Sequence, residues 1–243
     1  MVNNFTVFDS IHGKFIVNRH CDYQAEALIK TGATHIEHEL RNILPIVKLL
    51  PRNPVVVDAG ANVGFVTIPI ANAIRQNGGI VHAFEVQRML YYALCGSVAL
   101  NDLDNVRVYH CGLGKASGAL KVPAIDYGRP QDFGMVSLVD QEKIVAHETV
   151  QLSTIDELGL QGLDLLKIDV EGMEIDVLRG AHESLRRFRP WCWIEYWMVE
   201  KELLKQQFEE LDYEMFVMDQ LNILCAPREK LVASGLTVNA PLF

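Results

Sequence analysis

Four acidic residues stand where β-strands are expected to end: Asp58, Glu85, Asp169 and Glu171. The first belongs to the run Val-Val-Val-Asp-Ala-Gly-Ala-Asn-Val-Gly at residues 55–64. Three β-branched residues predict a short buried strand, the acid closes it, and glycines at 60 and 64 predict a turn before a helix-like stretch from Phe65. A strand, an acid, a glycine turn and a helix N-terminus together make a nucleoside-cofactor site, because the turn lets backbone approach a ligand and the first helical N–H groups face an anion. Positions 58, 60 and 63 are Asp, Gly and Val, so the three glycines of a dinucleotide fingerprint are missing. An acid at that place favours a cofactor bearing positive charge over a pyrophosphate. Glu85 ends the next apolar run, Ile80–Phe84, where a carboxylate accepts hydrogen bonds from ribose hydroxyls; the plainer role is a helix-capping acid. If the strand carrying Lys167 stays extended, Lys167, Asp169 and Glu171 share one face. The bland alternative for Lys167 is a buried ion pair with Glu195. For Glu171 it is charge complementing the next helix N-terminus.

These residues need a framework, and the chain alternates in the way that supplies one. A hairpin is expected over 5–20 around His12-Gly13. A helical stripe over 34–50 should be kinked or broken by Pro45. Strands are expected at 55–58, 80–85, 105–110, 163–169 and 191–196, with helices at about 64–76, 88–100, 172–187 and 198–211. A closing hairpin covers 213–218 and 222–225. The pattern predicts an α/β fold with a mostly parallel sheet covered on both faces and an antiparallel edge. Ligands of such sheets bind at the carboxyl ends of the strands. Residues 112–150, rich in Gly, Pro and Asp, read as an irregular insertion with short strands. The whole, 1–243, reads as one domain with residues 1–50 as an N-terminal cap and 55–225 as the core.

Composition narrows the function. The 243 residues are 49% apolar and 22% charged, with net charge −9, which disfavours a nucleic-acid partner. Five cysteines without a C-x-x-C pair read as reduced thiols of a cytoplasmic protein. No stretch reaches the roughly 18 apolar residues of a membrane span, and no leader is expected at 1–10. No metal-ligand spacing stands out, so no metal is expected.

The stretches Val55–Gly64, His82–Glu85, Asn105–Gly114 and Leu163–Ala181 resemble the FkbM family of class I S-adenosylmethionine-dependent methyltransferases. The most specific of these is Leu-Asp-Leu-Leu-Lys-Ile-Asp-Val-Glu-Gly from residue 163. Val86 and Ser97 depart from the family's usual Pro and Asn. The resemblance implies a Rossmann-like sheet of seven strands with a C-terminal antiparallel hairpin, S-adenosylmethionine as cofactor, and methyl transfer to a hydroxyl of a sugar or natural product. An amide nitrogen of a modified peptide is the alternative acceptor, and a nicotinamide-dependent oxidoreductase the remote one. Oligomeric state is left open, with a homodimer among the options. The resemblance implies a cofactor site of Asp58, Gly60, Ala61, Asn62, Gly64, Glu85, Val86, Cys111, Gly112, Leu113 and Asp169. In it the N–H groups of Gly60, Ala61 and Asn62 meet the methionine carboxylate, and Val86 with Cys111–Leu113 forms the adenine slot. An alcohol has a proton to lose, so Asp169 and Glu171 are the expected base pair, with Lys167 setting local charge. His110 and His12 are the reserve bases, and Tyr23, Glu37 and Glu39 are placed to fold over the cofactor.

Overall fold

The computed structural model describes residues 3–139, 141–142 and 145–236. Positions 140, 143 and 144 of the expected insertion lie outside the described residues, as do the first two and last seven of the chain.

The chain opens with the expected hairpin, β1 (Phe5–Ser10) against β2 (Gly13–Asn18), with Ser10 opposite Gly13. Two helices follow, α1 (Asp22–Thr31) and α2 (Glu37–Val47). Pro45 does not break α2. It sits in the last turn, where its missing N–H forfeits one bond, and the buried Leu40, Ile43, Ile46 and Val47 hold the helix down.

The core then alternates: β3 (Val55–Ala59), α3 (Thr67–Ile74), β4 (Ile80–Phe84), α4 (Arg88–Leu100) and β5 (Val106–Tyr109). After an excursion come β6 (Gly112–Leu113), β7 (Gly118–Pro123) and β8 (His147–Ser153). The core resumes with β9 (Leu165–Ile168), α5 (Glu174–Arg179), α6 (His182–Phe188), β10 (Trp191–Glu195), α7 (Lys201–Phe208), β11 (Tyr213–Val217), β12 (Asn222–Pro227) and α8 (Arg228–Ser234). Seven strands form one sheet in the order β11-β12-β10-β9-β3-β4-β5. Only β12 runs against its neighbours. From β3 the chain builds outward to β5 on one side, and from β9 to the hairpin on the other. The order therefore reverses between β3 and β9, the place where open α/β sheets bind ligands.

Alternation along the strands divides two cores. Val56, Leu165 and Trp193 face α2 and α3 with Leu40, Ile43 and Ile68. Val57, Leu166 and Cys192 face the opposite layer with Val177, Leu204 and Phe208. The register sets Asp58 beside Lys167 and Lys167 beside Trp193, so these three form one row on the α2/α3 face. Among the described residues, no helix is long and apolar enough to cross a membrane.

The insertion is more ordered than its composition predicts. β6, β8 and β7 make a separate three-stranded sheet over a small core of Leu120, Val122, Leu138 and Val150. The helix expected over 172–187 is two helices. Asp156 causes the break: its N–H takes the carbonyl of Gly180 at 3.0 Å, while its carboxylate accepts the N–H groups of Glu183 and Ser184 at 3.0 and 2.8 Å and so caps α6. Gly180 also lets two backbones cross, since a Cβ there would lie 2.0 Å from the carbonyl oxygen of Gly114. Its φ is −77°, ordinary for any residue, so Gly180→Ala isolates the steric cost. We expect a loss of about 1–3 kcal/mol in urea unfolding. An unchanged midpoint would contradict this crossing.

Candidate active site

The row Asp58–Lys167 lies at the strand ends, buried on both members at 0% and 3% exposure. The Lys167 ammonium is 3.5 Å from Asp58 Oδ1, donates to Asp169 Oδ2 at 3.1 Å, and reaches the carbonyl of Gly60 at 3.3 Å. Burial alone would push its pKa down. The charges of Asp169, Asp58 and Glu39 outweigh that and hold it above the ordinary value, so the group stays cationic. The expected pairing of Lys167 with Glu195 is not what forms; Glu195 instead accepts the indole N–H of Trp197 at 3.0 Å. Asp58 takes the Thr67 hydroxyl at 2.5 Å, tying the first residue of α3 to the sheet.

That placement leaves two of the expected cofactor residues off the cavity wall. Asp58 lies beneath the cavity rather than on its wall. Gly64 is also off the wall; its φ is 97°, and a Cβ there would lie 2.7 Å from Leu94 Cδ1, so the turn packs closely on α4. Gly60, with φ 82°, does line the cavity, but a Cβ there would sit 1.7 Å from the Asp169 carbonyl oxygen. Its small size therefore serves strand-to-strand approach. The turn N–H groups are also already engaged. Those of Gly60 and Ala61 donate to the Phe84 carbonyl at 3.0 and 2.9 Å, and that of Asn62 to Glu85 Oε2 at 2.8 Å. Helix α3 begins at Thr67, later than the expected Phe65, so these N–H groups precede it.

Glu85 gains from this arrangement. Its second oxygen accepts the N–H of Gln87 at 2.7 Å, so the carboxylate is fixed from both sides at 5% exposure. Two of its roughly four acceptor positions remain for a ligand. Burial pushes its pKa up to about 7.

Beyond β9 the backbone does not stay extended. The N–H of Asp169 holds the Ala59 carbonyl at 3.0 Å, and then Glu171 (φ 53°) and Gly172 (φ 99°) turn the chain left-handed. Glu174, not Glu171, takes the free N–H groups there, accepting those of Val170 and Gly172 at 3.1 Å each. Glu171 is thereby released toward Asp169 and Glu195, and oxygens of these three lie within 4.8 Å of one another. Burial, then the charge of Asp169, raises Glu171 to about 8 and Glu195 to about 9. The sequence offers Glu195 as an ion-pair partner for Lys167, and the structure sets it against Asp169 and Glu171. The trio is also the group among the described residues that could ligate a metal, a grouping with no signature in residue spacing.

All of this opens into a cavity of about 790 Å³. Gly60, Ala61, Asn62, Glu85, Val86, Cys111, Gly112 and Leu113 line it, as do Lys167, Asp169 and Glu171. Tyr23 and Glu39 reach it from the N-terminal segment, but Glu37 does not: it holds His12 Nε2 at 3.0 Å and Thr34. The reserve bases lie elsewhere, since His12 is spent on Glu37 and His110 bonds the Val86 carbonyl at 3.0 Å outside the cavity. Sequence reasoning missed the wall formed by His35, Gln87, Asp132, Leu138 and residues 218–222, which are far apart in the chain. Tyr23 donates to Asp132 at 3.2 Å, joining that segment to the insertion.

A family model described as Methyltransferase FkbM domain matches residues 58–222. The chain belongs to this family. It carries a methyltransferase domain of the S-adenosylmethionine-dependent class, and the nicotinamide alternative falls with that membership. Methyltransferase sdnD of Sordaria araneosa is 31% identical over 169 residues, 56% of this chain and 63% of that protein. Methyltransferase 1 of Beauveria bassiana is 27% identical over 159 residues, 55% of this chain and 61% of that protein. The alignments thus span less than two thirds of these relatives. The crystal structure of methyltransferase FkbM from Methylobacillus flagellatus KT superposes with a TM-score of 0.52 at 16% identity, covering 84% of this chain and 55% of that one, which shows a shared fold.

The FkbM-domain site carries several acids whose folded pKa values lie above the ordinary 4.5, up to about 9 for Glu195. Between those values the folded protein holds more protons than the unfolded chain, so unfolding releases protons and stability falls as pH rises. Denaturation midpoints of the unliganded protein should decline from about pH 5 to about pH 9, and less steeply at the alkaline end in Glu195→Gln. A flat profile shared by both proteins would contradict the crowding of the trio.

Proposed function

We propose that this chain transfers the methyl group of S-adenosylmethionine to a hydroxyl of a sugar or natural product, and that the cavity at the β3/β9 reversal is where it does so. The observation that carries the reading is Glu85: a buried carboxylate, fixed by two backbone N–H groups, with acceptor capacity left over beside a cavity-lining glycine turn. It suits a ribose diol. Val86 and Cys111–Leu113, next along the sheet, supply a narrow apolar slot for adenine.

The rest of the cavity supports the chemistry. Adjacent strands lie about 4.8 Å apart, so the carboxylates at the ends of β9 and β10 stand roughly two to three strand widths from Glu85. That separation suits a cofactor whose adenosine sits at one end and whose sulfonium points toward Asp169 and Glu171. Lys167 holds Asp169 and is already matched by Asp58, so it does not cancel the negative potential that attracts the sulfonium. Methyl transfer is an in-line displacement, and holding the acceptor atom behind the methyl carbon supplies much of the rate. An alcohol loses its proton in the process. Asp169 or Glu171 takes it in this reading, and the raised pKa of Glu171 places it near the operating pH of a general base. A cavity lined by seven carboxylates also suits a small uncharged or cationic acceptor rather than a polyanion.

S-adenosylhomocysteine should raise the melting temperature, and Glu85→Ala should weaken its binding by about 1.5–3 kcal/mol. Unchanged affinity in calorimetry would remove Glu85 from the ribose role. With an acceptor in hand, Asp169→Asn or Glu171→Gln should lower turnover by about 10²–10⁴ while S-adenosylhomocysteine affinity changes little. Wild-type rates in both variants would place the base elsewhere.

A further inference from the structure

Glu39 lies outside the residues the family model matches, yet it lines the cavity. It projects from α2 onto the row that runs through Asp58, Lys167 and Trp193. Its Oε1 accepts the indole N–H of Trp193 at 3.0 Å, and that N–H is shared with Asn222 Oδ1, also at 3.0 Å. Trp193 is fully buried, so the indole is a rigid anchor. The other carboxylate oxygen of Glu39 has no hydrogen-bond partner among the described residues. A carboxylate fixed at one oxygen and open at the other, on a cavity wall, is set to receive a donor from a ligand.

Its position along the sheet says which part of a ligand that is. Glu39 sits over β10 and β12 through Trp193 and Asn222, whereas Glu85 and the Val86–Leu113 slot lie past β3 at the other end of the cavity. The strand ends of β9 and β3 separate the two. A cofactor with its adenosine at the β4/β5 end brings its reactive group to the middle, leaving the Glu39 end for the acceptor.

We propose that Glu39 is an acceptor-positioning residue, accepting a hydrogen bond from a hydroxyl or amine next to the atom that is methylated. This rests on the cofactor placement given under the proposed function. It makes the acceptor a neutral or cationic hydrogen-bond donor, and it makes the N-terminal segment, rather than the family-matched core, a determinant of acceptor choice.

The test uses the full chain and does not need the acceptor. Two analogues of the cofactor carry nitrogen in place of sulfur. The arm at the methyl position is 3-aminopropyl in one and n-butyl in the other, so the two differ at the terminal group alone, an ammonium against a methyl. Calorimetry at about pH 8 would compare both with S-adenosylhomocysteine in the wild type, Glu39→Gln and Glu195→Gln. The amide oxygen of Glu39→Gln can still accept the Trp193 N–H, and a melting curve checks that the fold persists. The proposal predicts that the wild type binds the aminopropyl analogue at least about tenfold more tightly than the butyl one, the scale of a charge-assisted hydrogen bond. Glu39→Gln should cut that ratio to about threefold or less, with S-adenosylhomocysteine affinity unchanged within about twofold. Equal binding of the two arms in the wild type would overturn it. So would a ratio that survives Glu39→Gln, or one lost only in Glu195→Gln, which assigns the contact to the carboxylate trio. A parallel loss of S-adenosylhomocysteine affinity in Glu39→Gln would make it a cofactor residue and also overturn the proposal. Failure of S-adenosylhomocysteine to bind the wild type would instead bring down the cofactor placement itself, and this inference with it.

Discussion

A lysine ammonium buried in the middle of a parallel sheet is the constraint from which the rest of this site follows. Lys167 is 3% exposed and sits where a doubly covered strand ordinarily carries an apolar side chain. Desolvating such a charge costs several kcal/mol, and only well-placed counter-charges offset it. Asp58 on the adjacent strand and Asp169 two residues on provide them. Each partner then does something else. Asp58 holds the first residue of α3 through Thr67, and the ammonium reaches the Gly60 carbonyl, so the glycine turn is fixed from below. Asp169 is held against the cavity wall by its bond to the ammonium. Removing one partner of a buried pair costs about 3–5 kcal/mol because the other charge is stranded; here it would also loosen the turn and one side of the cavity together.

The cavity above this pair divides by chemistry. At the β4/β5 end Glu85 is held by two backbone N–H groups with acceptor capacity left over, and Val86, Gly112 and Leu113 beside it are small or apolar. At the β9/β10 end three carboxylates crowd within 4.8 Å, and burial with mutual repulsion raises two of them. In the proposed reaction the first end fixes a nucleoside and the second attracts the sulfonium and takes up a proton. The cover is supplied by parts distant in sequence: Tyr23 and Glu39 from the N-terminal segment, Asp132 and Leu138 from the insertion, and residues 218–222 from the closing hairpin. In the proposed reading, core chemistry and acceptor recognition are carried by different stretches of chain.

Much of the sheet was legible because its strands are short apolar runs bounded by turns, and the same runs placed Glu85 and Asp169 at the strand ends. What was not legible depended on partners far away. Gly60 and Gly64 look alike in sequence, but one meets the Asp169 backbone and the other Leu94. The break at Gly180 follows from Asp156, which no helical periodicity reveals. Asp58 has the look of a ligand-binding acid and lies off the cavity wall, paired with Lys167 and bonded to Thr67. The three turn N–H groups offered as a carboxylate cradle are taken by Phe84 and Glu85, a pairing set by the β3/β4 register. Glu195 joins the acid trio from the neighbouring strand β10, while Glu174 rather than Glu171 takes the turn N–H groups before α5.

The most direct measurement is a crystal structure of the chain with S-adenosylhomocysteine. The account predicts the ribose hydroxyls on Glu85, the adenine between Val86 and Leu113, and the sulfur nearer to Asp169 than to Glu85, with Lys167 still on Asp58 and Asp169 and out of contact with the ligand. A ligand whose adenine lies at the β10/β12 end, or whose sulfur is remote from Asp169 and Glu171, would contradict it.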